Sequence, residues 1–199
     1  QHSQSLEALF YHIPGLRVVM PSTPYDAKGL LTHSLRQDHP VMFLEHKHLY
    51  MTKGMVPEGD YEIEFGKAEV MTEGKDVTII SWSHMLLKAM EAAQTLADDN
   101  ISAEVINLRT LSPLDTDTIM ASVAKTNRVV IAQEAVRRGG VGSDIASYIQ
   151  AEEFYSLDAP IEIVAGLNIP IPFNLNLEKA SVPQSADIVA AAMRTLEHA

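Results

Sequence analysis

Eight histidines and no cysteine set the chemistry open to this chain of 199 residues. The lack of thiols removes disulfides, thiolate metal sites and thiol nucleophiles, and it leaves imidazole as the group to follow. His2 sits among polar neighbours in Gln1-His2-Ser3-Gln4-Ser5, at the entrance of a short helix rather than inside an apolar run. Imidazole titrates at about pH 6.5, so His2 can take or give a proton in a cleft, and it can equally be a solvated or capping residue. In Glu45-His46-Lys47-His48 the two histidines alternate and share a face if the chain stays extended, with His39 shortly before. Pro40 and the glycines that follow interrupt that extension. The nearby sequence offers no third and fourth ligand, which tells against a metal site there.

Gly139-Gly140-Val141-Gly142-Ser143-Asp144 follows a strand pattern and opens a helix pattern, as a phosphate-cradling loop does. Its sixth position is an aspartate, which brings negative charge to the place a phosphate needs, so a tight turn with close packing is the expected use. Arg137 and Arg138 precede it and could offset that charge or meet an acidic partner. A Ser-His-Asp set can always be chosen from so many histidines and carries no weight. The Gly-x-Ser-x-Gly elbow is absent, which lowers a hydrolase reading.

These residues need elements to hold them. Short β-branched runs alternate with amphipathic stretches, the pattern of a mainly parallel sheet covered by helices, so the expected class is α/β. Strands are expected at 17–20, 41–45, 77–82, 103–108, 128–133 and 161–164, and helices at 5–12, 24–37, 84–97, 113–125, 142–153 and 184–197. Thr23-Pro24-Tyr25-Asp26 and Ser112-Pro113-Leu114-Asp115 share one helix-start device: a hydroxyl cap, proline at the first helical position and aspartate at the third. Between 46 and 75 the period fails, and the stretch reads as a linker with a short strand at 67–71. The segment before it holds only two strands, too few for a sheet of its own. Residues 168–183, with Pro170, Pro172 and Pro183, read as structural connection.

Fifteen basic residues against twenty-six acidic give a net charge of −11, which opposes binding to a nucleic-acid backbone. The apolar runs fall short of the roughly 20 residues that span a bilayer. The sequence opens at Gln1 without methionine or a visible targeting segment, so a preceding stretch is expected to have been processed away or left off.

The longer runs carry a resemblance. Gln1-His2-Ser3-Gln4-Ser5, followed by His12-Ile13-Pro14-Gly15-Leu16-Arg17-Val18-Val19-Met20-Pro21-Ser22-Thr23-Pro24-Tyr25-Asp26, closely resembles the β subunit of thiamine-diphosphate-dependent 2-oxo acid dehydrogenases and acetoin dehydrogenase. The likeness continues through residues 40–45, Gly66-Lys67-Ala68, residues 107–115, residues 139–144 and Leu157-Asp158-Ala159-Pro160, and it spans essentially the whole chain in order.

The resemblance implies the end of a pyrimidine-binding domain with its linker at 1–60 and a transketolase-type C-terminal α/β domain at 61–199. About 120 to 130 residues of the first domain would then lie outside the chain, among them the family glutamate that meets the cofactor's aminopyrimidine. It implies thiamine diphosphate and magnesium held between this β subunit and an α subunit, a second β subunit, and a lipoyl acyltransferase core as partners, with neither nucleic acid nor membrane among them. The implied reaction is decarboxylation of a 2-oxo acid such as pyruvate with transfer of the acyl group to lipoamide. Cleavage of acetoin is the alternative, and a non-catalytic oligomerisation and docking module is the alternative from another class. His2 matches the family's catalytic histidine. Ser34, Leu35, Gln37 and His39 match a potassium site built largely of carbonyl oxygens, with departures from the family pattern at Gln37 and His39. Asp158 matches a position that meets the acyltransferase's subunit-binding domain, and its bland reading is a turn aspartate before Pro160. The implied location is cytoplasmic in a bacterium or archaeon and the mitochondrial matrix in a eukaryote. The isolated chain is expected to be inactive.

Overall fold

The computed structural model describes residues 2–197. In chain order the elements are α1 (Glu7–Tyr11), β1 (Arg17–Val19), α2 (Pro24–Leu35), β2 (Val41–Phe43), a 3-10 turn (Lys47–Leu49), β3 (Glu69–Thr72), β4 (Val77–Ser81), α3 (His84–Asp98), β5 (Ala103–Asn107) and β6 (Thr110–Ser112). They continue with α4 (Thr116–Thr126), β7 (Val129–Val136), α5 (Val141–Glu152), a 3-10 turn (Phe154–Ser156), β8 (Glu162–Gly166), α6 (Leu175–Ser181) and α7 (Ser185–Glu197). No described helix is long and apolar enough to cross a membrane.

The larger sheet has the order β3-β5-β4-β7-β8, parallel throughout except for β3, which runs antiparallel to β5. Its central strands are apolar on both faces because both faces are covered. Ile79, Val105 and Val130 point to a core with Leu86 of α3 and Ile188 of α7. Their chain neighbours Ile80, Ile106 and Ile131 point the other way, onto Ile119 and Val123 of α4 and Ile145 of α5. This two-residue alternation makes one strand serve two cores, each fully buried branched side chain stabilising by about 1.5–3 kcal/mol.

A smaller sheet has the order β2-β1-β6, with β1 parallel to β2 and antiparallel to β6. The first segment's two strands, too few for a sheet of their own, gain a third from the C-terminal part, since β6 pairs with β1. Three residues gave no readable period, so β6 was not expected at all.

The helix-start device holds at one of its two sites. Thr23 Oγ1 accepts from the Asp26 amide at 3.0 Å while Asp26 Oδ2 accepts from the Thr23 amide at 3.2 Å, a capping box with Pro24 inside it. At the second site Ser112 belongs to β6 and its hydroxyl donates to the Leu16 carbonyl at 2.9 Å, so it cannot cap. Asp115 is the cap of α4, accepting from the Thr118 amide at 3.1 Å, and the helix starts three residues later than expected.

The stretch at 46–75 is also less of a linker than its glycines suggest. Tyr61, Ile63 and Phe65 alternate onto Val19 and Leu30. Gly29 of α2 admits this approach, since a Cβ there would lie 2.7 Å from Ile63 Cγ1. The proline-rich connection at 168–183 holds α6, whose cap Asn174 accepts from the Asn176 amide at 3.0 Å.

Candidate functional site

In an α/β sheet the carboxyl ends of parallel strands face the crevice where ligands bind. Three such ends converge here. His46 follows β2, His84 opens α3 after β4, and Glu134 lies on β7 beyond the point where β4 has stopped pairing with it. His46 Nε2 is 3.0 Å from Glu134 Oε2, and His84 Nδ1 is 3.4 Å from the same oxygen. The two imidazoles stack at 4.6 Å, and the His48 ring lies 5.3 Å from each. Ser83, just before His84, has φ 52° and ψ −138°, a conformation that favours glycine. The fold holds this strained residue where it aims His84 at the cluster.

Burial is the largest influence on Glu134 and pushes its pKa up. Hydrogen bonds and charge from His46 and His84 together outweigh it and lower the group to about 2. Glu7 of α1 is the opposite case: burial holds its carboxyl above the usual range against the hydrogen bond from Ser5, which donates to Oε2 at 2.7 Å. Its other oxygen, Oε1, is buried and has no hydrogen-bond partner among the described residues. A protonated carboxyl there has one O–H to donate.

His2, Glu7, His46, His84 and Glu134 line one cavity of about 860 Å³. His2 is exposed, with a left-handed φ of 60°. The other expected site residues lie elsewhere. Ser34 and Leu35 end α2, with Gln37 and His39 in the turn beyond, and the Ser34 carbonyl accepts from the amide of Gln37 at 3.3 Å. Asp158 is half exposed and pairs with Arg128 at 3.2 Å, while its amide donates to the Asn127 carbonyl.

The glycine-rich turn lines a separate cavity of about 690 Å³, where Tyr11 donates to Asp144 at 2.5 Å. Its glycines serve packing, as expected. A Cβ on Gly140 would lie 2.3 Å from Gln133 Nε2 and one on Gly142 2.7 Å from Gln133 Oε1. The buried Gln133 accepts from the Gly142 amide at 2.7 Å and donates to the Val136 carbonyl at 2.8 Å, fixing the turn.

Sequence reasoning passed over Glu7, His84 and Glu134. A usable signal existed for the last two, because each falls one or two residues beyond an expected buried strand, at 77–82 and 128–133. His46 does gather acid and imidazole around it, from distant elements and not from His39.

Residues 66–188 match the transketolase C-terminal domain and residues 1–53 the transketolase pyrimidine-binding domain. The chain is 49% identical over 197 residues to the acetoin:2,6-dichlorophenolindophenol oxidoreductase subunit beta of Cupriavidus necator, covering 99% of this chain and 58% of that protein. It is 49% identical over 191 residues to the pyruvate dehydrogenase E1 component subunit beta of Rickettsia felis (96% and 59%). The protein of the same name from Bacillus subtilis is 45% identical over 197 residues (98% and 60%). Among solved structures, a split-gene transketolase described as an inactive beta4 tetramer superposes with a TM-score of 0.79 at 28% identity, covering 96% of this chain and 60% of that one. The chain thus spans 58–60% of the length of these relatives.

Proposed function

The chain belongs to the transketolase family, by its C-terminal and its pyrimidine-binding domains, and from that premise we propose that it acts as the β subunit of a thiamine-diphosphate-dependent dehydrogenase. The reaction proposed is decarboxylation of a 2-oxo acid such as pyruvate, with the acyl group passed to lipoamide. The observation that carries this reading is the cavity of about 860 Å³ whose wall holds His2 and Glu7, a volume suited to a cofactor. Glu7 Oε1, a buried polar atom without a partner among the described residues, fits a ligand that brings one. Thiamine diphosphate supplies the carbon nucleophile and electron sink for such a decarboxylation.

The residues of this chain have narrower work. The His2 imidazole donates a proton to, or accepts one from, an oxygen or thiol of the reacting groups, which suits its exposure on the cavity wall. Glu7, whose carboxyl burial holds above the usual range, orients what lies against α1 through its Oε1. The diphosphate and its magnesium are assigned to donors of an α subunit, so this chain alone is proposed to be inactive, and a second β subunit completes an α2β2 assembly. The reading is tested by measuring lipoamide acylation with pyruvate in the complex co-purified with its α subunit. His2→Ala is expected to lower kcat by about 100-fold or more, within the range of general acid–base catalysis. Unchanged turnover would remove His2 from the mechanism, and no cofactor-dependent turnover in the complex would favour a non-catalytic docking module. Acetoin is the second substrate to try, since the relatives named for acetoin and for pyruvate stand equally near.

Two further roles are proposed. Asp158 meets a basic face of the acyltransferase's subunit-binding domain, exchanging its Arg128 partner for an intermolecular one. A titration of that domain onto Asp158→Ala should show weaker binding, and an unaltered Kd removes the contact. Carbonyls around Ser34, Leu35, Gln37 and His39 hold potassium, which predicts a higher Tm in potassium than in an equal concentration of a bulky monovalent cation. Equal Tm values would dismiss the ion.

A further inference from the structure

The His46, His84 and Glu134 cluster has no part in the steps assigned to His2 and Glu7, yet it gathers two imidazole nitrogens and a carboxylate from three separate elements. Their ligand atoms all lie within 4.8 Å of one another. We propose that these three side chains form a site for one divalent transition cation of the zinc type, which ties the segment after β2 to the larger sheet.

Two imidazoles and one glutamate are a donor set that zinc accepts, with a fourth position left for water or another side chain. Ligand distances of about 2.0–2.2 Å put tetrahedral ligand atoms roughly 3.3–3.5 Å apart, and the two carboxylate–imidazole separations here are 3.0 and 3.4 Å. Coordination further requires the two imidazole nitrogens, which lie within 4.8 Å of one another, to turn and close on the ion. The groups are partly shielded, at 16–20% side-chain exposure, but they line an open cavity through which an ion can enter. Lys47, Lys88 and Lys179 on that wall are opposing charges, with Glu45 and Glu178 to offset them.

Binding moves a proton within one ring. In the ion-free arrangement His46 Nδ1 accepts from the His48 amide at 3.2 Å, so Nε2 carries the proton that faces Glu134. A cation on Nε2 displaces that proton, and the neutral ring then carries it on Nδ1, where the His48 amide can no longer donate. The turn at Lys47–Leu49 gives up one hydrogen bond. This frees His48, whose ring is already 5.3 Å from both others, to supply the fourth ligand.

The test reads metal binding and not turnover. Chelator-treated protein is titrated calorimetrically with Zn²⁺, and separately with Co²⁺ while its visible spectrum is followed. One equivalent per chain, the intense bands of four-coordinate Co²⁺ and a rise in Tm on Zn²⁺ are expected. Glu134→Gln, which keeps the side chain's shape, and His84→Gln should each weaken binding by about 100-fold or more, beyond the roughly 10–100-fold that outer-shell partners carry. His12→Gln, remote from the cluster, should leave it unaltered. No saturable binding, a weak octahedral Co²⁺ spectrum, or equal affinity in the Glu134→Gln protein would each overturn the proposal. The Co²⁺ spectrum of the unsubstituted protein decides the matter even if a variant folds poorly.

Discussion

Glu134 carries opposing influences, and the balance between them is measurable. Burial favours its neutral form, yet the imidazoles of His46 and His84 hold it at about 2, below the ordinary 4.5. A carboxyl whose pKa is lower in the folded than in the unfolded chain binds fewer protons when folded. Its stabilisation is therefore complete above about pH 4.5 and is lost as pH falls toward 2. The difference corresponds to about 3 kcal/mol. Chemical unfolding of the unsubstituted protein should accordingly show stability falling steeply between pH 4.5 and pH 2, and Glu134→Gln should remove that share of the slope. Parallel pH profiles for the two proteins would mean that the imidazoles do not hold the carboxylate. The residue that sequence singled out, His2, depends instead on its neighbourhood: only the cavity relates it to Glu7, and nothing in Gln1-His2-Ser3-Gln4-Ser5 announces a buried carboxyl five residues on.

At the scale of elements, what was legible followed from period and what was missed lacked one. The strand at 77–82 and its observed counterpart β4 (Val77–Ser81) agree because every residue of β4 is buried, giving an unbroken apolar run. The expected helix at 84–97 and the observed α3 (His84–Asp98) agree because Leu86, Ala89, Ala93 and Leu96 recur at helical spacing on the buried face. β6 was illegible because three residues cannot display a period, and α6 because prolines on both sides concealed a seven-residue helix capped by Asn174. The second helix start misled for a physical reason. A hydroxyl before proline is a cap only if its backbone is free, and Ser112 is occupied in a strand. The grouping of His46 with His84 and Glu134 was hidden too, since strand order brings the three together and local sequence does not encode it.

Across the whole molecule, the chain passes most directly between the two sheets after β5. β5 ends at Asn107 in the larger sheet, Arg109 turns with φ 61°, and β6 begins at Thr110 in the smaller one. Arg109 also accepts from the Met20 amide at its carbonyl, 2.8 Å away, which attaches the end of β1 to the same turn. Asp26, fully buried at the start of α2, clamps the crossing: it accepts from Arg109 Nε at 2.7 Å, from Asn107 Nδ2 at 2.8 Å and from the Thr23 amide. Glu69 of β3 takes the other side of the guanidinium at 2.5 Å. A buried ion pair adds little over an apolar pair of the same shape, but removing one partner strands the other in a medium that cannot solvate it. Asp26→Ala should therefore cost about 3–5 kcal/mol, the range for such an orphaned charge, and should lower the urea midpoint while leaving the slope of the transition unchanged. Because the clamp joins α2 and the smaller sheet to the larger one, amide exchange in β1 and β2 should quicken before exchange in β4 and β7 does. A loss under about 1 kcal/mol, or uniform acceleration of exchange in both sheets, would show that Glu69 alone suffices for Arg109 and that the sheets are held by their apolar contacts instead.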